Sequence, residues 1–175
     1  MNQGTNLSVH ILGETAGPVH LETRSEIRTA CTLMAAQANR ELRIFSRDLD
    51  APLYDQIDFL ESIRRLALRN PHTPVRILLF DVELAIRKGY RLIELARKLT
   101  SRIQIRHVPA EFHHHTHAYL LADDRGYVLR RLADVLEATA DFAAPMEVRR
   151  MREQFEHLWE RSEEPREIRV FPRGL

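Results

Sequence analysis

Apolar residues along the chain recur with two periods. At about 3.6 residues they mark helices: Ile27, Cys31, Met34, Ala35 and Ala38 form one stripe, and Phe59, Leu60, Ile63, Leu66 and Ala67 form another. The first stripe follows Thr23-Arg24-Ser25-Glu26, whose spacing predicts a capping box. Asp55 is placed to cap the second stripe and Asn70-Pro71 to stop it. Short apolar runs predict strands at Leu42-Arg43-Ile44-Phe45-Ser46, Val75-Arg76-Ile77-Leu78-Leu79-Phe80 and Ile103-Gln104-Ile105-Arg106-His107, the middle one buried on both faces. Val82 to Leu99 reads as helical, with a break or kink at Gly89. Val19-His20-Leu21 reads as an edge strand.

This order of strand, helix, strand, helix, strand, helix, strand predicts an α/β domain with helices on both faces of a mostly parallel sheet. The pattern then changes. Ala118 to Ala122, the turn Asp123-Asp124-Arg125-Gly126 and Tyr127-Val128-Leu129 predict a β-hairpin, and Ala138 to Ala143 is a candidate for one more strand. Pro145 suits the first turn of a final helix, with its stripe at Val148, Met151, Phe155, Leu158 and Trp159 and its end at Pro165. Residues 1–17 read as a flexible leader containing the short apolar run Val9-His10-Ile11-Leu12. Residues 18–164 read as one domain and 165–175 as a C-terminal tail.

Composition narrows the function classes. The 26 Lys+Arg against 25 Asp+Glu leave a formal charge of +1, so bulk electrostatics point to neither nucleic acid nor membrane. Residues 86–106 carry seven basic side chains against the single acid Glu94, but with Tyr90 as the one aromatic among them no interleaving suggests base stacking, and they read as a solvated helix face. The single cysteine, Cys31, excludes an internal disulfide and a cysteine-built metal site, and inside its stripe it reads as a small core hydrophobe. No apolar run approaches the roughly 18 residues of a membrane span, and the expectation is a cytoplasmic protein. Walker, dinucleotide-binding, nucleophile-elbow and His-Glu-x-x-His motifs are all absent, which gives P-loop nucleotide hydrolysis and α/β-hydrolase chemistry little support, and no cofactor is expected.

The nine histidines stand out, and four of them fall in Glu111-Phe112-His113-His114-His115-Thr116-His117. In an extended chain His113, His115 and His117 share one face and would offer imidazoles to one metal ion. Asp81 or Asp124 would then complete the shell. The plain alternatives are loop histidines without a metal and, for His117, a strand histidine bonded to a backbone carbonyl. Asp81 and Ser46-Arg47-Asp48 follow predicted strands, at the ends where open α/β sheets place ligand sites.

His117-Ala118-Tyr119, four residues and then Asp124 reproduce the spacing His-x-Lys-x4-Asp, with tyrosine in the lysine's place. With the order of elements before it and the closing Phe155-x-x-Leu158-Trp159 helix, this resembles the phospholipase D superfamily over roughly residues 20–163. It is also similar to a bacterial family in which such a half-domain occurs alone or behind an acetyltransferase domain. The resemblance implies an α/β/α sandwich with a mostly parallel mixed sheet. It implies His117 as nucleophile or acid at phosphorus and Asp124 as the acid that holds the imidazole. One motif copy implies a homodimer with two His117 side chains facing across a twofold axis. Tyr119 supplies no positive charge to a phosphoryl group; Arg130 or Arg131 could bring a guanidinium instead. The expectation is a non-catalytic phospholipase-D-like module that binds a phosphate-bearing ligand or a protein partner, an acetyltransferase among them. Arg130, Arg131, Asp81 and Asp48 are its candidate ligand contacts. A homodimeric phosphodiesterase or nuclease acting through a phosphohistidine at His117 is one alternative, and a metal-binding protein using His113, His115 and His117 is the other.

Overall fold

Alternate residues of the strands face two different helical layers. The computed structural model describes residues 6–88 and 90–168. Its strands are β1 (Val19–Leu21), β2 (Leu42–Ser46), β3 (Val75–Leu79), β4 (Ile103–His107), β5 (Ala118–Ala122), β6 (Gly126–Arg130) and β7 (Ala138–Asp141). Its helices are α1 (Arg24–Gln37), α2 (Ala51–Tyr54), α3 (Ile57–Arg69), α4 (Val82–Arg87), α5 (Arg91–Lys98) and α6 (Pro145–Arg161). Leu42 and Ile44 of β2 and Leu120 and Ala122 of β5 join the core under α1, α3 and α5. Phe45, Tyr119 and Leu121, on the opposite face, pack with Val148, Phe155, Leu158 and Trp159 of α6. This is the α/β/α sandwich the sequence pattern predicts.

The sheet runs β1-β7-β6-β5-β2-β3-β4. Only β2–β3 and β3–β4 are parallel, whereas β1–β7, β7–β6, β6–β5 and β5–β2 are antiparallel. The sheet is therefore mixed and mostly antiparallel, a correction to the expectation of a mostly parallel one. Helical crossovers keep β2, β3 and β4 in one direction, but from β5 onward short connections reverse the chain at each strand. β1 lies at the edge, as predicted, beside β7.

Thr23 and Glu26 form the predicted capping box at α1. Asp55 does not cap α3: α2 occupies the preceding residues and Gln56 is the cap position. The Asp55 carboxylate instead accepts from the backbone N–H and Nε of Arg91, at 3.3 and 3.0 Å. The helical stretch after β3 is two helices separated between Arg87 and Arg91; the break expected at Gly89 lies outside the described residues. α6 stops at Arg161, before Pro165. Residues 6–17 pack rather than hang free. Leu7 and Leu12 are buried, the Leu12 N–H donates to Oε1 of Gln37 at 2.7 Å, and the Gly13 N–H donates to the Phe142 carbonyl at 2.6 Å. Gly126 permits this packing, because a Cβ there would lie 2.6 Å from Cδ1 of Leu12. At the other end Ile168 is buried as well. Residues 1–5 of the leader and 169–175 of the tail lie outside the described residues.

Cys31 is buried, and that burial pushes its thiol up to about 12, which suits an inert core residue. No helix among the described residues is long and apolar enough to cross a membrane.

Candidate functional site

The parallel strands β2 and β3 end at the same side of the sheet where antiparallel β5 begins and β6 ends. Phe45 pairs with Tyr119, and continuing that register brings Arg47 level with His117. Ser46 pairs with Leu79, which puts Arg47 beside Phe80. These strand ends and the segment 131–137 after β6 enclose a cleft in two adjoining parts. One, of about 530 Å³, is lined by Arg47, Phe80, Asp81, His113, His115 and His117 among others. The second, of about 400 Å³, includes Arg47, Asp48, Asp81, Lys88 and Arg130 in its walls. Arg47, Asp81, Ala133 and Asp134 belong to both.

Alternation turns His117 and Tyr119 to the α6 side. The His117 ring stacks on Phe45 (centroids 5.5 Å apart) and on Tyr119 (5.7 Å), and meets His115 edge-on at 5.4 Å. Burial lowers the His117 pKa, opposed by a hydrogen bond with the Gln154 side chain. The His115 pKa is also lowered, by burial first and then by the neighbouring His114 and His117. Both imidazoles are thus biased toward the neutral form.

An imidazole with a depressed folded pKa lets the unfolded chain take up its proton first as pH falls. Its stability contribution is intact above the unfolded value of about 6.5 and is lost as pH falls below it, through the lowered folded values. Thermal unfolding between pH 7.5 and 5 should therefore show a falling midpoint, with a shallower slope in His115→Asn/His117→Asn. Equal slopes in the two proteins would reject this assignment.

Several predicted site residues are elsewhere. Tyr119 is fully buried, with its hydroxyl donating to the Met151 carbonyl of α6 at 3.5 Å and its pKa raised by burial. It does not reach into the cleft. Asp124 sits at the β5–β6 turn, where it is paired with Arg152 and lies 3.6 Å from Arg43. All of β5 separates it from His117, roughly 20 Å at the rise of a strand, so it cannot orient that imidazole. Arg130 borders the cleft but is buried and committed: Nη1 donates to Asp50 at 2.7 Å and Nη2 to the Ala133 carbonyl at 2.5 Å. Arg131 points into a separate surface hollow with His20 and Leu129. Asp48 and Asp81 do line the cleft. Asp48 lies 3.8 Å from Lys88, and Asp81 caps α4 by accepting from the Leu84 N–H at 3.0 Å.

The histidine run is not the extended segment that a shared metal face requires. Ala110–Phe112 form a 3-10 turn, and His113 and His114 continue the turn before the chain straightens. The His113 ring bonds the Val108 carbonyl at 2.8 Å and packs on Phe80 at 4.9 Å. His114 stacks on His115 at 4.5 Å. Among the described residues no three His, Cys, Asp or Glu side chains group in a way that could hold a metal ion. The turn removes the period-of-two alternation on which that expectation stood.

A family model described as "Domain of unknown function (DUF7931)" matches residues 23–171. The chain belongs to the DUF7931 family. No curated protein matches the sequence. Among the solved structures that resemble this DUF7931 chain in fold are three at 11–16% identity. Nuc from Salmonella typhimurium, a phospholipase D family member, superposes with a TM-score of 0.64 at 12% identity, covering 86% of this chain and 99% of that one. NucT from Helicobacter pylori gives 0.62 at 11% identity, over 85% and 99%. TrmBL2, an archaeal chromatin protein, gives 0.62 at 16% identity; the match covers 91% of the DUF7931 chain but only 58% of TrmBL2. The DUF7931 chain therefore has the phospholipase D fold.

The sequence singled out Arg130 and Arg131 as cations for the site, but the exposed guanidinium in the cleft is that of Arg47. Its only signal was its place directly after the second predicted strand.

Proposed function

We propose that this DUF7931 protein is a cytoplasmic phospholipase-D-fold module that binds a phosphate-bearing ligand in the His117 cleft without turning it over. The observation that carries the reading is the burial of Tyr119 on Phe45, with its hydroxyl spent on the Met151 carbonyl. No charge stands at the lysine position of the motif, and the acid of the motif is at the far end of β5. Phosphoryl transfer depends on pre-placed positive charge. The open cleft with its imidazoles and Arg47 retains what binding an anionic oxygen requires.

The second reading, a homodimeric phosphodiesterase, is favoured by one observation: His117 lines the cleft with its imidazole biased to the neutral, nucleophilic form. Hydrolysis of bis(p-nitrophenyl) phosphate by wild type and His117→Ala, each with and without EDTA, separates the two. The expected result is no turnover above that of the variant in either condition. EDTA-resistant activity that disappears in His117→Ala would overturn the binding reading in favour of the enzyme.

A further inference from the structure

The backbone of Arg47 is fixed where β2 and β3 end: its carbonyl accepts from the N–H groups of Phe80 and Asp81 at 3.1 and 2.7 Å. Its side chain is free by comparison, 63% exposed, and belongs to both parts of the cleft. The other cations there each have a second partner. Arg130 is held by Asp50 and the Ala133 carbonyl, and Lys88 lies near Asp48 and over the Tyr90 ring.

Facing Arg47 is Asp134, with Nη1 and Oδ1 3.6 Å apart. That is an ion pair longer than an ordinary hydrogen bond, and the Asp134 side chain is 87% exposed. Asp134 is nonetheless kept in place by its neighbour. The Ala133 N–H donates to the Thr116 carbonyl at 2.9 Å, and the Ala133 carbonyl receives Arg130. A loosely paired carboxylate is thus held over the cleft's exposed guanidinium by anchored backbone.

We propose that Arg47 is the phosphate contact of the cleft and that Asp134 is its built-in competitor, so that the ligand binds by displacing the Asp134 carboxylate. This rests on the phosphate-binding reading given above. A phosphate meets a guanidinium through two parallel hydrogen bonds, whereas the existing pair is long and solvent-screened. The displaced carboxylate turns into water without leaving a buried group unpaired. Asp134 therefore lowers affinity for anions and favours those ligands that can replace it fully.

Titration with inorganic phosphate at constant ionic strength, followed by amide chemical shifts, tests this in wild type, Asp134→Asn, Arg47→Gln and the double variant. Asp134→Asn should tighten binding about two- to fivefold, the range an exposed ion pair spans. Arg47→Gln should weaken it about tenfold or more. In the Arg47→Gln background, Asp134→Asn should have no further effect. Equal binding by all four proteins would overturn the roles of Arg47 and Asp134 and leave the binding reading intact. Tightening by Asp134→Asn that persists without Arg47 would show general charge repulsion and equally overturn the pairing. Absence of phosphate binding in all four, Asp134→Asn included, would overturn the binding reading itself and this inference with it.

Discussion

Tyr119→Lys should destabilise the protein by about 3–5 kcal/mol and restore no phosphodiester hydrolysis, although it recreates the His-x-Lys spacing. The side chain at this position is only 1% exposed. It packs against the rings of both Phe45 and His117, with centroids 5.1 and 5.7 Å away, and beneath α6. A lysine there must either lose its proton or carry a desolvated charge into an aromatic stack, and both carry a large free-energy penalty. The chain would also lose the stacking that holds His117. In a domain of this size the loss corresponds to a fall in Tm of about 10 °C or more. Tyr119→Phe is the matching control. Its hydroxyl bond is long, so removing it should cost about 0.5 kcal/mol, the low end for a hydrogen bond. Urea unfolding of the three proteins decides the matter. A lysine variant as stable as wild type would mean that position 119 opens to the cleft, and the case against catalysis would lose its main support.

The contrast shows which features were legible in the sequence. Elements set by neighbours in the chain were readable: the Thr23/Glu26 capping box, the start of α6 at Pro145 and the strand runs of β2, β3 and β4 all follow from local chemistry. Strand direction beyond β4 was not, because the alternation rule describes helical crossovers and is silent about where a hairpin inserts. Asp55 looked like a cap because its real partner, Arg91, is distant in sequence. In the site, Asp48 and Asp81 follow β2 and β3 and His117 precedes β5, so the register of the sheet places all three at the adjoining parts of one cleft. The motif spacing was less reliable. Four residues between Tyr119 and Asp124 are most of a strand, so the count that suggested a shared site in fact separates the two groups by its length. The choice among Arg47, Arg130 and Arg131 rested on partners, Asp50 above all, that no local spacing encodes.

Asp123, next to the residue that the motif picks out, is the carboxylate on which the fold depends more. Its oxygens accept from the backbone N–H groups of Asn39, Arg40 and Glu41 at 2.7, 2.8 and 2.9 Å, and it is 8% exposed. Those three donors form the turn between α1 and β2, and the Asp123 N–H returns a bond to the Glu41 carbonyl at 3.1 Å. Asp123→Ala should therefore cost about 3–5 kcal/mol. A hydrogen bond to a charged acceptor contributes on the order of 1.5–3 kcal/mol, and three on one carboxylate sum to less than three times that. Asp123→Asn keeps one accepting oxygen and tolerates the residue's left-handed backbone, φ +54°, so an intermediate loss is expected. Asp124→Asn shares that backbone conformation, but the buried Arg43 keeps its closer partners Glu41 and Glu156 and the lost pair with Arg152 is partly exposed, so it should cost about 1 kcal/mol. Urea midpoints that rise from Asp123→Ala through Asp123→Asn to Asp124→Asn are the signature, and a reversed order would make Asp124 the structural acid. The consequence reaches the cleft. This turn sets where β2 enters the sheet, and β2 delivers Arg47 to the level of His117, so Asp123→Ala should also weaken anion binding although it lies at the opposite end of the strand.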